Sequence, residues 1–154
     1  MNKLDIRHAT LKDSSLYLNW RNDPKVRESA FTTEKISQEM HDDWYSNKLN
    51  SDRSVLLILH DKKDPVGQVR FEVSRDYTSA EINYSIAEDY RGKGIATPLM
   101  RNAIEAFFLK NSKTNTLIAK VKKENIASNK VFEKLNFNTI TQPDSTMNVF
   151  ELIK

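Results

Sequence analysis

Two of the chain's three glycines, Gly92 and Gly94, lie two residues apart, between a predicted strand and a predicted helix. Glycine permits a tight turn or the close approach of a ligand to the backbone. The first turn of a helix offers unpaired amide groups and the positive end of the helix dipole, which together bind anions. Arg91 and Lys93 add positive charge here, and Pro98 fits the first helical turn. The segment therefore predicts either a diphosphate site or a plain strand-to-helix turn.

Two other phosphate-binding motifs do not fit this segment. The nucleoside triphosphatase loop requires Gly-x-x-x-x-Gly-Lys followed by Ser or Thr, and the spacing here is different. The dinucleotide fingerprint requires a third glycine, where this chain has Thr97. The strand that precedes the glycines also belongs to a predicted antiparallel meander, which excludes a doubly wound parallel sheet.

Periodicity and turn residues predict a mixed, mostly antiparallel α/β (α+β type) sheet of six to seven strands with about four helices. The order is β-α-α-β-β-β-α-β-α-β-β. In the second helix, Met40 and Trp44 are expected to face inward, with Tyr45 as a further candidate. The predicted elements are a strand Leu4–His8, a helix from Thr10 to about Pro24, a helix Ser37–Leu49, strands Val55–His60, Val66–Ser74 and Ala80–Ala87, a helix Ile95–Lys110, a strand Thr116–Val121, a helix Ile126–Leu135, and two strands between Asn138 and Ile153 around Pro143.

Length and composition predict one domain over residues 1–154, because a chain of this size buries a sizeable core. Cysteine is absent, which excludes disulfides, thiolate metal sites and a cysteine nucleophile. His, Asp and Glu show no metal-ligand spacing, so no metal is expected. The net charge is only +3, and residues 120–123 lack aromatic neighbours for stacking bases, so no nucleic-acid partner is expected.

No membrane partner is expected either. The longest aliphatic run, Val55–Leu59, is far shorter than the ~20 residues of a membrane helix. The first residues contain no apolar segment of a secretory signal. The sequence therefore predicts a cytoplasmic location.

Two motifs resemble signatures of the GNAT (Gcn5-related) N-acetyltransferase family. Arg91-x-x-Gly94-x-Ala96 matches the family's Arg/Gln-x-x-Gly-x-Gly/Ala segment, and residues 125–137 are similar to Asn-x-x-Ser/Ala-x-x-x-Tyr/Phe-x-x-x-Gly-Phe. The resemblance covers almost the whole chain and implies a GNAT fold, acetyl-CoA as the acetyl donor, and acetylation of an amine. The residues that it implies for binding acetyl-CoA are Ser85, Ile86, Ala87, Arg91, Gly92, Lys93, Gly94, Ile95, Ala96, Asn125, Ser128 and Phe132.

By the same resemblance, Asn125, Ser128 and the backbone of residues 85–87 contact the pantetheine arm, where the fourth strand splays from its neighbour. Many members have a tyrosine at the position of Phe132, and its hydroxyl protonates the departing thiolate. Phe132 has no proton to donate, so either water or another residue supplies it, or the thiolate leaves unassisted. Asn136 replaces the usual glycine and tolerates the left-handed conformation that glycine adopts there.

Amine acetylation requires a base that removes a proton from the acceptor ammonium, often through water. Glu81, on the polar face of the fourth strand, is the first candidate, and Glu72 on the third strand is its neighbour. Both carboxylates could instead form ion pairs with basic side chains such as Arg70. His41 is a second candidate because of its near-neutral pKa, although a packed, purely structural histidine is the alternative.

The N-terminal half resembles the family branch that acetylates amino-sugar nucleotides, such as the pseudaminic-acid pathway enzymes that act on a UDP-linked 4-amino-dideoxy sugar. The similar segments are residues 20–27, 41–45 and 66–71. Aromatic rings there could stack on a base or a sugar, and arginines could meet a diphosphate, although both tryptophans could equally be core residues. The candidate acceptor-binding residues are Trp20, Arg21, Arg27, Trp44 and Arg70.

Three functions remain open at this point. The expected one is acetylation of the amino group of a nucleotide-linked amino sugar. The second is acetylation of a protein N-terminus, since ribosomal-protein alanine acetyltransferases have a similar Trp-Arg-Asn segment. The third is an acetyl-CoA-binding module without turnover. The expected partner is a small-molecule acceptor, with a homodimer as an open alternative.

Overall fold

Seven strands form one sheet in the computed structural model, which describes residues 4–140 and 146–154. The strands are β1 (Leu4–His8), β2 (Ser54–Asp61), β3 (Asp64–Val73), β4 (Ser79–Ile86), β5 (Thr116–Lys122), β6 (Asn138–Ile140) and β7 (Met147–Ile153). Their order across the sheet is β1-β2-β3-β4-β5-β7-β6. Every neighbouring pair is antiparallel except β4 and β5, which run parallel.

Helices cover both faces of this sheet. They are α1 (Ser14–Asn22), α2 (Pro24–Ser29), α3 (Gln38–Asn50), α4 (Ala96–Lys110) and α5 (Ile126–Lys134). Strand β2 shows the arrangement most clearly, because Leu57 and Leu59 join the core under α4 and α5 whereas Leu56 and Ile58 join the core under α1 and α3. In the described ranges, no helix combines the length and hydrophobicity needed to span a bilayer.

The helix count exceeds the expected four because Pro24 begins a helix as well as ending one. Helix α1 ends at Asn22, as predicted, and Pro24 then occupies the first position of α2, where the missing amide costs nothing. The Asp23 side chain caps α2 by accepting hydrogen bonds from the amides of Lys25 and Val26.

The predicted inward face of the second helix was wrong at Met40, which is 67% exposed. Helix α3 begins at Gln38, and the Ser37 hydroxyl accepts from the Met40 amide at 3.2 Å. This start turns His41 and Tyr45, which are four residues apart, toward the sheet, and both are fully buried. Pro143, around which the last two strands were predicted, lies outside the described residues.

Strands β4 and β5 separate along their length. They pair only through Ser79, Ala80 and Glu81, which lie opposite residues 116–118, while β4 remains paired with β3 as far as Ile86. A Cβ atom on Gly67 of β3 would meet the Ser85 carbonyl, so glycine allows the end of β4 to lie close against β3. The result is an opening between β4 beyond Glu81 and β5 beyond Ile118, which we call the notch.

Candidate active site

A cleft of about 790 Å³ opens at the notch, and its size is typical of small-molecule sites. Its walls come from β3, β4 and β5, from α5, from the turn that leads into α4, and from the α1–α2 region and the segment that follows it. The predicted site residues that line it are Trp20, Arg21, Arg70, Ser85, Ile86, Arg91, Gly92, Gly94, Ile95, Ala96, Asn125, Ser128 and Phe132.

The other predicted site residues lie near the cleft without forming its wall. The Ala87 amide donates to the Val66 carbonyl at 2.7 Å and so closes the end of the β3–β4 pairing. Arg27 points its Nε toward the Asn22 carbonyl, at 3.2 Å. The predicted residues outside the wall are Arg27, His41, Trp44, Glu81, Ala87 and Lys93.

The turn before α4 is built to present backbone amides. Gly92 and Gly94 both have positive φ, +73° and +72°, a conformation that other residues rarely adopt. Ile95, at the N-cap, has no side-chain acceptor for the first amides of the helix. Those amides have no partner within the helix and, with the helix dipole, favour an anion.

Arg91 links this turn to the opposite wall of the cleft. Its Nη2 lies 3.1 Å from the Asp23 carboxylate, and its Nε donates to the Ile86 carbonyl at 2.9 Å. Burial raises the pKa of Asp23, but the hydrogen bonds from Arg91 and from the α2 amides outweigh it and leave the pKa below its usual value. Asp23, which caps α2, therefore also fixes the position of the glycine turn through Arg91.

The middle of the cleft contains a hydroxyl pair. The Tyr84 side chain extends from β4 to α5, and its hydroxyl lies 2.9 Å from Ser128 Oγ. Its ring contacts Phe132 edge-on, with 5.8 Å between ring centroids. Asn125 Oδ1 accepts from the Ser128 amide at 3.3 Å and caps α5.

Two guanidinium groups meet one indole at the other end of the cleft. The Cζ of Arg21 lies 4.0 Å from the Trp44 ring centroid, and that of Arg70 lies 5.0 Å from it. Arg70 Nε is 3.0 Å from a Glu72 carboxylate oxygen, but the two atoms are not aligned for a hydrogen bond. In the part of the chain that the structure describes, no carboxylate pairs with Arg21.

His41 lies beneath this group with both ring nitrogens engaged. Nδ1 is 3.1 Å from Arg21 Nη1, and Nε2 is 3.0 Å from the Ser14 carbonyl. Because a guanidinium only donates and a carbonyl only accepts, the ring is neutral with its proton on Nε2. Burial, and then the charge of Arg21, lower the pKa of His41. In this arrangement, neither ring nitrogen of His41 is free to accept a proton from a bound amine.

The two candidate carboxylates lie directly opposite each other on β3 and β4. Glu72 is engaged by Lys48 at 3.0 Å and by the Ser54 hydroxyl at 2.7 Å. Glu81 is about half exposed, at the point where β4 and β5 part, and lies 3.7 Å from the Lys120 ammonium group of the cleft wall. Glu81 therefore has fewer polar contacts than Glu72 and is the more exposed of the two carboxylates.

The charge of the cleft wall is strongly one-sided. Among the described residues, Glu34 is the one carboxylate in it, and the cations are Arg21, Lys25, Arg70, Arg91, Lys120, Lys130 and Lys134. The structure, within residues 4–140 and 146–154, has no cluster of His, Asp or Glu able to hold a metal ion.

Tyr84 and Gln68 are two polar residues of the cleft that sequence reasoning missed. Tyr84 alternates with polar residues along β4, as an apolar residue would, but its hydroxyl requires a partner when buried. Gln68 is buried, accepts from the Tyr17 hydroxyl at 2.8 Å and donates to Ser85 at 3.2 Å. A polar residue in the middle of a strand covered on both faces was the available signal.

Comparison with protein families identifies the class of protein. A family model described as an acetyltransferase (GNAT) domain matches residues 3–138. The chain belongs to this family and is an acetyl-CoA-dependent N-acetyltransferase with the mixed α/β GNAT fold. No curated protein matches the sequence significantly.

Solved structures agree on the fold. Spermidine N-acetyltransferase from Vibrio cholerae, in complex with CoA and spermine, has a TM-score of 0.85 at 19% identity, over 97% of this chain and 95% of that one. A ribosomal L7/L12 alpha-N-protein acetyltransferase with coenzyme A has a TM-score of 0.82 at 17% identity, over 97% and 93%. An aminoglycoside acetyltransferase with coenzyme A has a TM-score of 0.82 at 18% identity, over 99% and 95%.

The lowered pKa of His41 makes the stability of the protein depend on pH. As the pH falls below the ordinary histidine pKa of 6.5, the unfolded chain takes up the proton first, and the free energy of unfolding decreases. The contribution is complete above that pH and is lost as the pH falls toward the folded-state pKa. We expect the urea midpoint of the wild type to fall between pH ~7.5 and pH ~5.5.

His41→Gln keeps a donor for the Ser14 carbonyl without a titrating group, so its midpoint should change less over this range. The pKa values of the Asp13 and Asp23 carboxyls are lowered by their hydrogen bonds from Arg7 and Arg91, away from this pH range, so these groups do not interfere. Parallel pH dependences in the two proteins would show that His41 is not the source of the effect.

Proposed function

We propose that this enzyme acetylates the amino group of a nucleotide-linked amino sugar. The observation that carries the proposal is the pair of guanidinium groups, Arg21 and Arg70, at the end of the cleft away from the glycine turn. Burial, and then the neighbouring charge of Arg70, lower the pKa of Arg21 to about 10, so Arg21 keeps its positive charge at neutral pH beside a second guanidinium group. A bound diphosphate would relieve this repulsion and accept hydrogen bonds from both forks.

Aromatic groups beside the arginines suit the rest of such an acceptor. Trp20 lines the cleft and is only 8% exposed, so one part of the ring is available to a sugar face while most of it packs in the core. Both guanidinium groups contact the Trp44 ring, which supports their orientation. A base or sugar ring stacked here would place the acceptor amine toward the notch.

The same charge disfavours polycationic acceptors. The structures similar to this chain include enzymes named for spermidine and for aminoglycosides, both of which carry several positive charges. In this cleft such molecules would meet seven cationic side chains and, of the described residues, only the carboxylate of Glu34. Like charges at a binding site reject a ligand even where its shape fits.

For acetyl-CoA, we propose that the diphosphate binds at the amides of residues 92–96 and that the pantetheine arm follows β4 through the notch. The positive-φ glycines and the N-terminus of α4 support the first contact. Because β4 loses its β5 partner after Glu81, its backbone beyond that point is open to an arm that hydrogen-bonds like a strand. Ser85, Ile86, Asn125 and Ser128 lie along this path.

As the general base we propose Glu81, acting through water because its carboxylate lies outside the cleft wall. Its ion pair with Lys120 connects it to that wall. The cationic cleft also lowers the pKa of a bound amine, since nearby positive charge disfavours the ammonium form. A weak base is therefore sufficient.

Arg70→Gln tests the acceptor class. We expect it to raise the KM of a UDP-linked amino sugar ~10- to 100-fold, which corresponds to the loss of a charged hydrogen bond. The affinity for acetyl-CoA should remain nearly unchanged. Arg101→Gln, on the exposed side of α4, is the matched control. The measurement is thiol release from acetyl-CoA with UDP-linked amino sugars, free amino sugars, N-terminal peptides and spermine as acceptors.

The rise in KM caused by Arg70→Gln should be large with the UDP-linked acceptor and small with the free amino sugar, because only the UDP-linked acceptor carries the diphosphate. Faster turnover of N-terminal peptides or of spermine than of every nucleotide-linked acceptor would contradict the proposal.

Gly94→Val tests the diphosphate site. A β-branched residue is strained at φ +72°, so the turn should change shape while the rest of the fold persists. We expect acetyl-CoA affinity, measured by calorimetry, to fall at least ~10-fold, or ~1.4 kcal/mol. Lys93→Ala removes a charge without altering the backbone and should cause a smaller loss. If Gly94→Val binds acetyl-CoA as tightly as the wild type, the diphosphate does not bind at this turn.

Glu81→Gln tests the base. We expect turnover to fall ~10- to 1000-fold, with nearly intact acetyl-CoA affinity and with loss or displacement of the acidic limb of the pH–rate profile. If Glu81→Gln retains full turnover while His41→Ala abolishes it, the base belongs to α3 and the proposal is wrong.

A further inference from the structure

The enzyme has no proton donor at the helical position where many GNAT enzymes have tyrosine. Phe132 of α5 occupies it and is 2% exposed. Its ring packs against Phe137 and Phe150, with centroids 5.1 and 5.7 Å away. A departing CoA thiolate therefore receives no proton from this residue.

Tyr84 brings a hydroxyl to the same place from the other side of the notch. Its ring meets that of Phe132 edge-on at 72°, and its hydroxyl lies 2.9 Å from Ser128 Oγ, one helical turn before Phe132. All three residues line the cleft. The missing hydroxyl is thus replaced by one from β4.

We propose that Tyr84 is the general acid of acetyl transfer and that Ser128 is its positioning residue. When the Ser128 hydroxyl donates to the phenol oxygen, the phenolic proton is free to point into the cleft. Burial raises the pKa of Tyr84, so the phenol holds its proton at neutral pH, while the hydrogen bond from Ser128 opposes that rise and stabilises the phenolate as it forms.

The proton balance of the step is complete. The acceptor nitrogen forms a bond to the acetyl carbon, and the bond between that carbon and sulfur breaks with its electron pair left on sulfur. Tyr84 gives its proton to the sulfur, which produces free CoA thiol. The nitrogen loses its proton through water to the Glu81 carboxylate, and the Tyr84 phenolate regains one from solvent through the Ser128 hydroxyl.

The kinetic test removes the hydroxyl from Tyr84 of β4 and adds one at Phe132 of α5. Tyr84→Phe should lower kcat ~100-fold or more, with a change in the KM for acetyl-CoA of no more than ~3-fold. Phe132→Tyr alone is the reference for the double variant. In the Tyr84→Phe background, Phe132→Tyr should restore much of the lost rate. Tyr77→Phe, whose hydroxyl bonds Asp52 away from the cleft, is the matched control.

A second readout needs no acceptor and no turnover. The thiol pKa of bound CoA can be measured from the ultraviolet absorbance of its thiolate as the pH is raised. A phenol that donates to sulfur stabilises the thiolate, so this pKa should be lower in the wild type than in Tyr84→Phe by about one unit. Ser128→Ala, which keeps the phenol and frees its orientation, should give an intermediate value.

Equal thiol pKa values in the wild type and Tyr84→Phe would overturn the proposal, even if Tyr84→Phe loses activity, because Tyr84 would then only pack. If Tyr84→Phe does not fold, an unshifted thiol pKa in Ser128→Ala would overturn it equally. The role of Tyr84 rests on acetyl-CoA-dependent transfer and not on the identity of the acceptor. The experiments can therefore contradict the Tyr84 proposal without contradicting the proposed acceptor, and the reverse.

Discussion

The parting of β4 from β5 is the constraint on which the rest of the site depends. The two parallel strands share only three paired positions, and β4 then follows β3, where Gly67 permits close contact. Backbone groups that lose a strand partner need another partner or water, so a sheet with such a gap is prepared for an extended ligand. Beyond the paired positions, the Tyr84 side chain of β4 reaches Ser128 of α5.

The two ends of the cleft are connected through a small number of charged contacts. Asp23 caps α2 and pairs with Arg91, so the α1–α2 wall and the glycine turn share one carboxylate. Beside Trp44, neutral His41 orients Arg21 without cancelling its charge. A carboxylate in place of His41 would neutralise the guanidinium. The choice of an imidazole leaves the positive charge available to a ligand.

Much of the fold could be predicted from the sequence because alternation and turn residues are local signals. The polar and apolar faces of β3 agree with the alternation of Val69 and Phe71 against Arg70. Helix α2 was missed because Pro24 was interpreted only as the end of a helix, although proline also fits a first position. Met40 was placed inward because the residue at which α3 begins was not known.

The site was less predictable, because it depends on contacts between distant segments. The glycine turn could be found from its spacing, whereas the direction of Tyr84 depends on where β4 leaves β5, a register that no local pattern reveals. His41 was a reasonable candidate base by residue type. Its actual partners, Arg21 and the Ser14 carbonyl, come from elements that meet it only in the folded chain.

Hydrogen exchange with and without CoA tests most directly the central claim that the notch holds the pantetheine arm. If the claim is correct, CoA slows exchange at the amides of residues 84–87 on β4 and 92–96 in the glycine turn. The paired stretch of β4 at residues 79–81 should change little, because its hydrogen bonds exist already. Protection on CoA binding that is absent from β4, or that appears only at other parts of the surface, would contradict the account.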